Sequence, residues 1–170
     1  ARDSADVWTQ QELFELNEDG LPLRVAAVPP DAFSDTGQLW GNPLFRWDAM
    51  KEDNYSWWIR RIERSLHWTP MIRLDHFRGF SQYYAVNAED DDARKGHWID
   101  GPGMPFFKAL EQAIGDTVMI AEDLGEIDDA VHILREETGY LCMRVLQFGF
   151  DGEDASLHRA ARCPVDAVTY

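Results

Sequence analysis

The chain has 170 residues, 45% of them hydrophobic and 28% charged, with a formal net charge of -15. That length supports one ordinary domain with a sizeable core, and the composition is globular, not disordered. The acidic balance argues against a nucleic-acid partner, which needs an excess of Lys and Arg, and against an anionic membrane surface.

No apolar run approaches the ~20 residues of a membrane span, and no apolar signal core follows Ala1, so no membrane partner is expected either. Cys142 and Cys163 are too few for a disulfide framework and are expected to be buried, reduced thiols of a cytoplasmic protein. The seven Trp residues serve either packing or sugar stacking, and composition does not separate the two.

In chain order, Thr9 to Glu12 has capping-box spacing and predicts a short helical turn through Phe14. Phe14–Val28 reads as a hairpin around Asn17 to Gly20. Pro29 and Pro30 force an extended path. From Ala32 to Asn42 a loop is expected, with Phe33, Gln38 and Trp40 among small polar residues. Such a mixture suits ligand contact, although Trp40 closing over the core fits equally well.

Asp53–Leu66 predicts a helix with Tyr55, Trp58, Ile59, Ile62 and Leu66 on one stripe. Met71, Ile72 and Leu74 then predict a short strand entered from Pro70. Ser81–Val86 reads as helical. Asn87–Gly103 reads as a long loop whose acidic run, Glu89 to Asp92, is a solvated surface or a lid. Helix Pro105–Ile114, strand Thr117–Glu122, helix Asp128–Glu137, strand Tyr140–Phe148, helix Asp154–Ala161 and strand Pro164–Tyr170 follow. Strands alternating with helices predict an α/β fold with a parallel sheet. Four strand positions do not close a barrel, and both ends of the chain look cut.

Chemistry concentrates at two strand ends. Arg73 and Asp75 are two apart, so on a strand they share a face. The second apolar run, Thr117 to Ala121, ends in Glu122. Parallel neighbours would place both acids at the carboxyl edge of one sheet, where barrel enzymes carry out catalysis. Three readings fit. Asp75 and Glu122 flank a glycosidic bond as nucleophile and acid/base, which needs carboxyl groups roughly 5–5.5 Å apart and matches the ~4.8 Å strand spacing. Alternatively Asp3, Asp75 and Glu122 bind a divalent metal, a reading weakened by Arg73 beside Asp75. In the third, the charges form a structural ion network in a non-catalytic binding module.

His76 points away from Asp75 while the strand lasts, as a structural histidine would, and Arg78 with Gly79 suggests a sharp turn. Arg144 reaches either the two carboxylates or some other acid.

Six stretches in order carry a resemblance over the whole chain: Asp3 to Trp8, Val28 to Ser34, Gly37 to Pro43, Arg73 to Phe80, Ile120 to Gly125 and Met143 to Phe148. Together they resemble the 4-alpha-glucanotransferases, also called amylomaltases or disproportionating enzymes, relatives of the alpha-amylases. The resemblance implies an α/β fold of the TIM-barrel type, a partial (β/α)8 barrel covering roughly the end of strand 3 through strand 7. Residues 1–50 would form a loop and hairpin insertion and residues 51–170 the βα units. It implies transfer of an α-1,4-glucan segment to a sugar 4-hydroxyl, with Asp75 as nucleophile and Glu122 as acid/base. Arg73 would support the nucleophile, and Asp31, Gln38, Trp40, Asn42 and His76 would contact substrate. No cofactor and no metal are implied; the partners are a maltooligosaccharide or glucan and a sugar acceptor. The family's third acid would fall beyond Tyr170, so the 170-residue stretch by itself is expected to be inactive and, with open sheet edges, prone to association.

Overall fold

The computed structural model describes residues 1–32, 34–150 and 156–170. Phe33, read above as part of a loop, and the first residues of the helix expected over Asp154–Ala161 lie outside the described residues. In chain order come helix α1 (Ala5–Thr9), strands β1 (Arg24–Val28) and β2 (Gln38–Pro43), and helices α2 (Trp47–Glu52) and α3 (Ser56–Leu66). Strands β3 (Arg73–Leu74), β4 (Gln82–Asn87) and β5 (His97–Asp100) follow, then helix α4 (Gly103–Ile114) and strand β6 (Ile120–Ala121). Helix α5 (Asp129–Thr138) and strands β7 (Leu141–Arg144) and β8 (Ala167–Thr169) come last, and short 3-10 turns lie at Gln11–Leu13, Phe77–Phe80 and Leu146–Phe150. The chain divides into two compact units: Ala1–Trp57 with Gln82–Pro102, and Trp58–Ser81 with Gly103–Tyr170.

The first unit holds an antiparallel sheet in the order β2-β1-β4-β5. Alternation in β1 turns Val25 and Ala27 inward against Tyr84, Val86 and Ala93. The helix expected at Ser81–Val86 is strand β4. Its partner strand decides this: Arg24 to Ala27 pair with Asn87 to Tyr84, and the Tyr84 hydroxyl donates to the Ala93 carbonyl at 2.9 Å. Tertiary pairing overrides a weak local preference here. Strand β5 likewise occupies part of the expected loop 87–103, and β2 part of the expected loop 32–42. Five of the six β2 residues are exposed, so β2 lacks the alternation that marks a half-buried strand.

Only the tip of the expected hairpin forms. Leu16 bridges Pro22, and the Asn17 side chain accepts the Asp19 and Leu21 amides at 3.0 and 2.9 Å. The short helical turn expected through Phe14 forms over Gln11–Leu13, but Thr9 does not cap it, since the Thr9 hydroxyl donates to the Ala5 carbonyl. Ser4 caps α1. The helix expected from Asp53 begins at Ser56, because Asn54 and Tyr55 are both left-handed, at φ 57° and 58°. Burial of Tyr55, 3% exposed, holds that break.

The second unit holds a parallel sheet in the order β3-β6-β7-β8, so the α/β class read from the alternation of strands and helices stands. Helix α5 links β6 to β7. The Asp128 carboxylate accepts the Val131 amide at its start, and left-handed Gly139 (φ 68°) ends it, the asymmetry expected of helix termini. Aromatic rings fill much of the core: Phe80 stacks on Phe106 at 5.1 Å, Trp58 meets both edge-on, and Phe107 joins Phe77 to Tyr140. Trp58 thus serves packing, as Trp57 does against Phe14 and Phe45 in the first unit. Residues 156–161 are turns, not helix. Cys142 and Cys163 are free thiols, the first buried and the second only half-buried. Among the described residues no helix is long and apolar enough to cross a membrane.

Candidate active site

Strands β3 and β6 are parallel partners, with Arg73 opposite Ile120 and Leu74 opposite Ala121. One step further along, at the carboxyl ends of both strands, stand Asp75 and Glu122. The ladder continues through them: the Glu122 amide donates to the Leu74 carbonyl at 3.0 Å, and the Phe77 amide to the Glu122 carbonyl at 3.1 Å. The apolar residues bury, as Leu74 and Ala121 do, and the first polar residues after them emerge where the sheet ends.

The two carboxyl groups have different surroundings. Asp75 is exposed and ion-paired with Arg73, as their two-residue spacing implied. Glu122 is half-buried, and main-chain donors hold both of its oxygens: the His76 amide reaches Oε2 at 2.8 Å and the Leu124 amide reaches Oε1 at 3.1 Å.

His76 does more than the sequence suggested. It leaves the strand in the left-handed region, at φ 52°, and this bend points its amide at Glu122. The ring lies over Gly79, where a Cβ would meet His76 Cδ2 at 3.0 Å. Burial, with Arg78 nearby, pushes the imidazole from 6.5 down to about 4. The folded ring should therefore stay neutral down to about pH 4. The unfolded chain takes up the proton first, so this group costs stability as pH falls from about 6.5 to about 4 and has no effect above. An NMR titration showing His76 charged in the folded protein at pH 6 would contradict this.

Arg78, buried beneath the turn, donates to the Glu126 carbonyl and, at 3.1 Å, to Asp128. The carboxylate that caps α5 thereby also anchors the turn after Asp75. Arg144 had two possible targets from sequence, and it pairs with Asp123 at 3.1 Å. Sequence reading missed Asp123. The available signal was its place next to Glu122: adjacent strand residues face opposite ways, so a second acid there needed a partner of its own.

The other substrate-contact candidates belong to the first unit. Asp31 accepts the Ser34 amide at 2.8 Å. Gln38 Oε1 accepts the Trp40 indole N–H at 3.3 Å. Trp40 and Asn42 are exposed and line, with Asp3 and Asp90 among others, a cavity of about 380 Å³. Among the described residues no group of three His, Cys, Asp or Glu is placed to hold a metal ion.

The sequence model of the family described as 4-alpha-glucanotransferase matches residues 1–170. The chain belongs to that family. It is 44% identical over 170 residues to a Streptococcus pneumoniae 4-alpha-glucanotransferase, covering 100% of this chain and 34% of that protein. It is 52% identical over 167 residues to the chloroplastic/amyloplastic 4-alpha-glucanotransferase of Solanum tuberosum, covering 98% of this chain and 29% of that protein. The chain thus spans about a third of the length of these glucanotransferases. Among solved structures, an amylomaltase from Streptococcus agalactiae in complex with acarbose superposes with a TM-score of 0.95 at 40% identity, over 100% of this chain and 34% of that one. The Corynebacterium glutamicum amylomaltase superposes at 0.78 with 21% identity, over 99% of this chain and 23% of that one, which speaks for the fold alone.

Proposed function

We propose that the protein carrying this chain is a cytoplasmic 4-alpha-glucanotransferase that moves a segment of an α-1,4-glucan to the 4-hydroxyl of another sugar. The parallel sheet β3-β6-β7-β8 is then part of a (β/α)8 barrel, and its carboxyl edge is the catalytic one. The observation that carries this reading is the register of β3 and β6, which brings Asp75 and Glu122 out side by side. Strand spacing of ~4.8 Å suits the roughly 5–5.5 Å of a retaining pair.

Asp75, turned to solvent and braced by Arg73, attacks the anomeric carbon. Glu122 protonates the departing glycosidic oxygen, and the shortened glucan leaves. As a carboxylate, Glu122 then takes the proton of the incoming 4-hydroxyl while that oxygen displaces Asp75. Transfer prevails over hydrolysis where the acceptor sugar is held at high effective concentration. On the first unit Trp40, exposed and tied to Gln38, offers a flat face for a pyranose ring, with Asp31 and Asn42 as polar contacts; on the second, His76 contacts sugar beside Glu122. The acarbose bound to the Streptococcus agalactiae relative supports an oligosaccharide ligand here too.

A covalent trap tests the mechanism. The full-length Glu122→Gln variant, given a maltooligosyl fluoride without an acceptor, should accumulate a glycosylated peptide containing Asp75, detectable by mass spectrometry. A sugar attached to any other residue, or none at all, would overturn the assignment.

A further inference from the structure

Asp123 is the residue whose chemistry the proposed mechanism leaves unused. Its side chain is 1% exposed, and three hydrogen bonds tie it to strand β7. Oδ1 accepts the Met143 amide at 2.8 Å, and both oxygens accept from Arg144 Nη1 at 3.1 Å. The same Arg144 nitrogen donates to the Met143 carbonyl. Asp123 thus fastens the end of β6 to the end of β7 through a charged pair that solvent barely reaches.

The residues on either side of it face the other task. Glu122 carries the acid, and the Leu124 amide holds that acid's Oε1 at 3.1 Å. For the amide of one residue to reach a side-chain oxygen two positions earlier, the main chain must curl through the residue between them. Asp and Asn close such turns with a short side chain. Glu has one methylene more and closes a looser ring, so the curl needs fixing from outside. The middle residue is Asp123, and it is fixed.

We propose that Asp123 and Arg144 are a positioning pair for Glu122: by locking the 122–124 curl to β7 they hold its carboxyl where the glycosidic oxygen arrives. This rests on the acid/base reading of Glu122. Stability alone gives no reason for the pair, because a buried ion pair is commonly replaced by apolar residues of similar volume at no cost. What charge and hydrogen-bond direction add is a fixed orientation. The pair touches no substrate, so its loss should show only in steps where Glu122 transfers a proton.

The test compares full-length parent, Glu122→Gln, Asp123→Asn and Arg144→Lys with two donor–acceptor systems. With a maltooligosaccharide donor and a sugar acceptor, both steps need Glu122. With α-maltosyl fluoride and azide, the Asp75 carboxylate displaces fluoride ion and azide then displaces Asp75, giving the maltosyl azide with no proton to transfer. Asp123→Asn should lose about 10- to 100-fold in kcat on the oligosaccharide, the scale of a misplaced proton donor. Its KM should be unchanged, and its rate with the fluoride and azide should stay within about threefold. Arg144→Lys should show the same split, which keeps the test open if one variant folds poorly. Equal losses in both systems, or none in either, would overturn the positioning role while the Glu122→Gln control still shows its own split. If Glu122→Gln shows no split, the acid/base reading falls, and this inference falls with it.

Discussion

Replacing Asp75 by Asn is expected to lower glucan transfer by the full-length protein on the order of 10⁴-fold or more, while leaving thermal unfolding nearly unmoved. The first part follows from the role proposed for it. An amide forms no glycosyl ester, and losing a nucleophile that works with an acid/base partner removes most of the catalysis that the pair provides. The second part follows from exposure. Asp75 is 73% exposed and its partner Arg73 is 43% exposed, and exposed ion pairs contribute only about 0–1 kcal/mol. Maltotriose disproportionation measured beside a melting curve separates the two effects. A variant with near-parent transfer would remove Asp75 from the nucleophile's place, and one that lost activity by unfolding would show that the pair serves the fold.

What the sequence made legible follows from how strongly burial constrains each residue. The carboxyl ends of β3 and β6 could be read because an apolar run that stops at an acid has one plausible place in an α/β sheet. The regular strands are shorter than those runs: β3 and β6 each span two residues, although Met71 to Leu74 and Thr117 to Ala121 looked like longer strands. Exposure explains part of that gap, since Met71 and Val118 lie at the surface.

The antiparallel sheet of the first unit was mostly illegible. Gln82 to Asn87 has neither a helical nor an alternating period, and β1, 54 or more residues earlier in the chain, makes it a strand. β2 is polar and exposed, so nothing local marks it. The break before α3 was hidden too, because burial of Tyr55 and its amide bonding back to Met50 at 2.6 Å hold two successive left-handed residues. At the candidate site, residue types pointed to Asp75, Glu122 and Arg73. Roles that fall to main-chain groups, such as the His76 and Leu124 amides on Glu122, have no residue signature at all, and the partner of Arg144 depended on a register that only the fold supplies.

Two of the Arg–Asp pairs of the second unit, Arg144–Asp123 and Arg73–Asp75, should respond very differently to substitution. Arg144 and Asp123 are 8% and 1% exposed, so Arg144→Leu leaves a buried carboxylate with the Met143 amide as its one remaining donor among the hydrogen bonds described above. Removing one partner of a buried pair costs about 3–5 kcal/mol, because the other charge stays desolvated without compensation. Arg73→Leu uncovers a carboxylate that water already reaches and should cost within about 1 kcal/mol. Removing both buried charges, as Asp123→Leu with Arg144→Leu, should recover much of the single-variant loss, since no uncompensated charge remains. Denaturant midpoints at constant m-value give all three numbers. Comparable losses for Arg144→Leu and Arg73→Leu would mean that water reaches Asp123 in solution, and the curl that holds Glu122 would then lack its anchor.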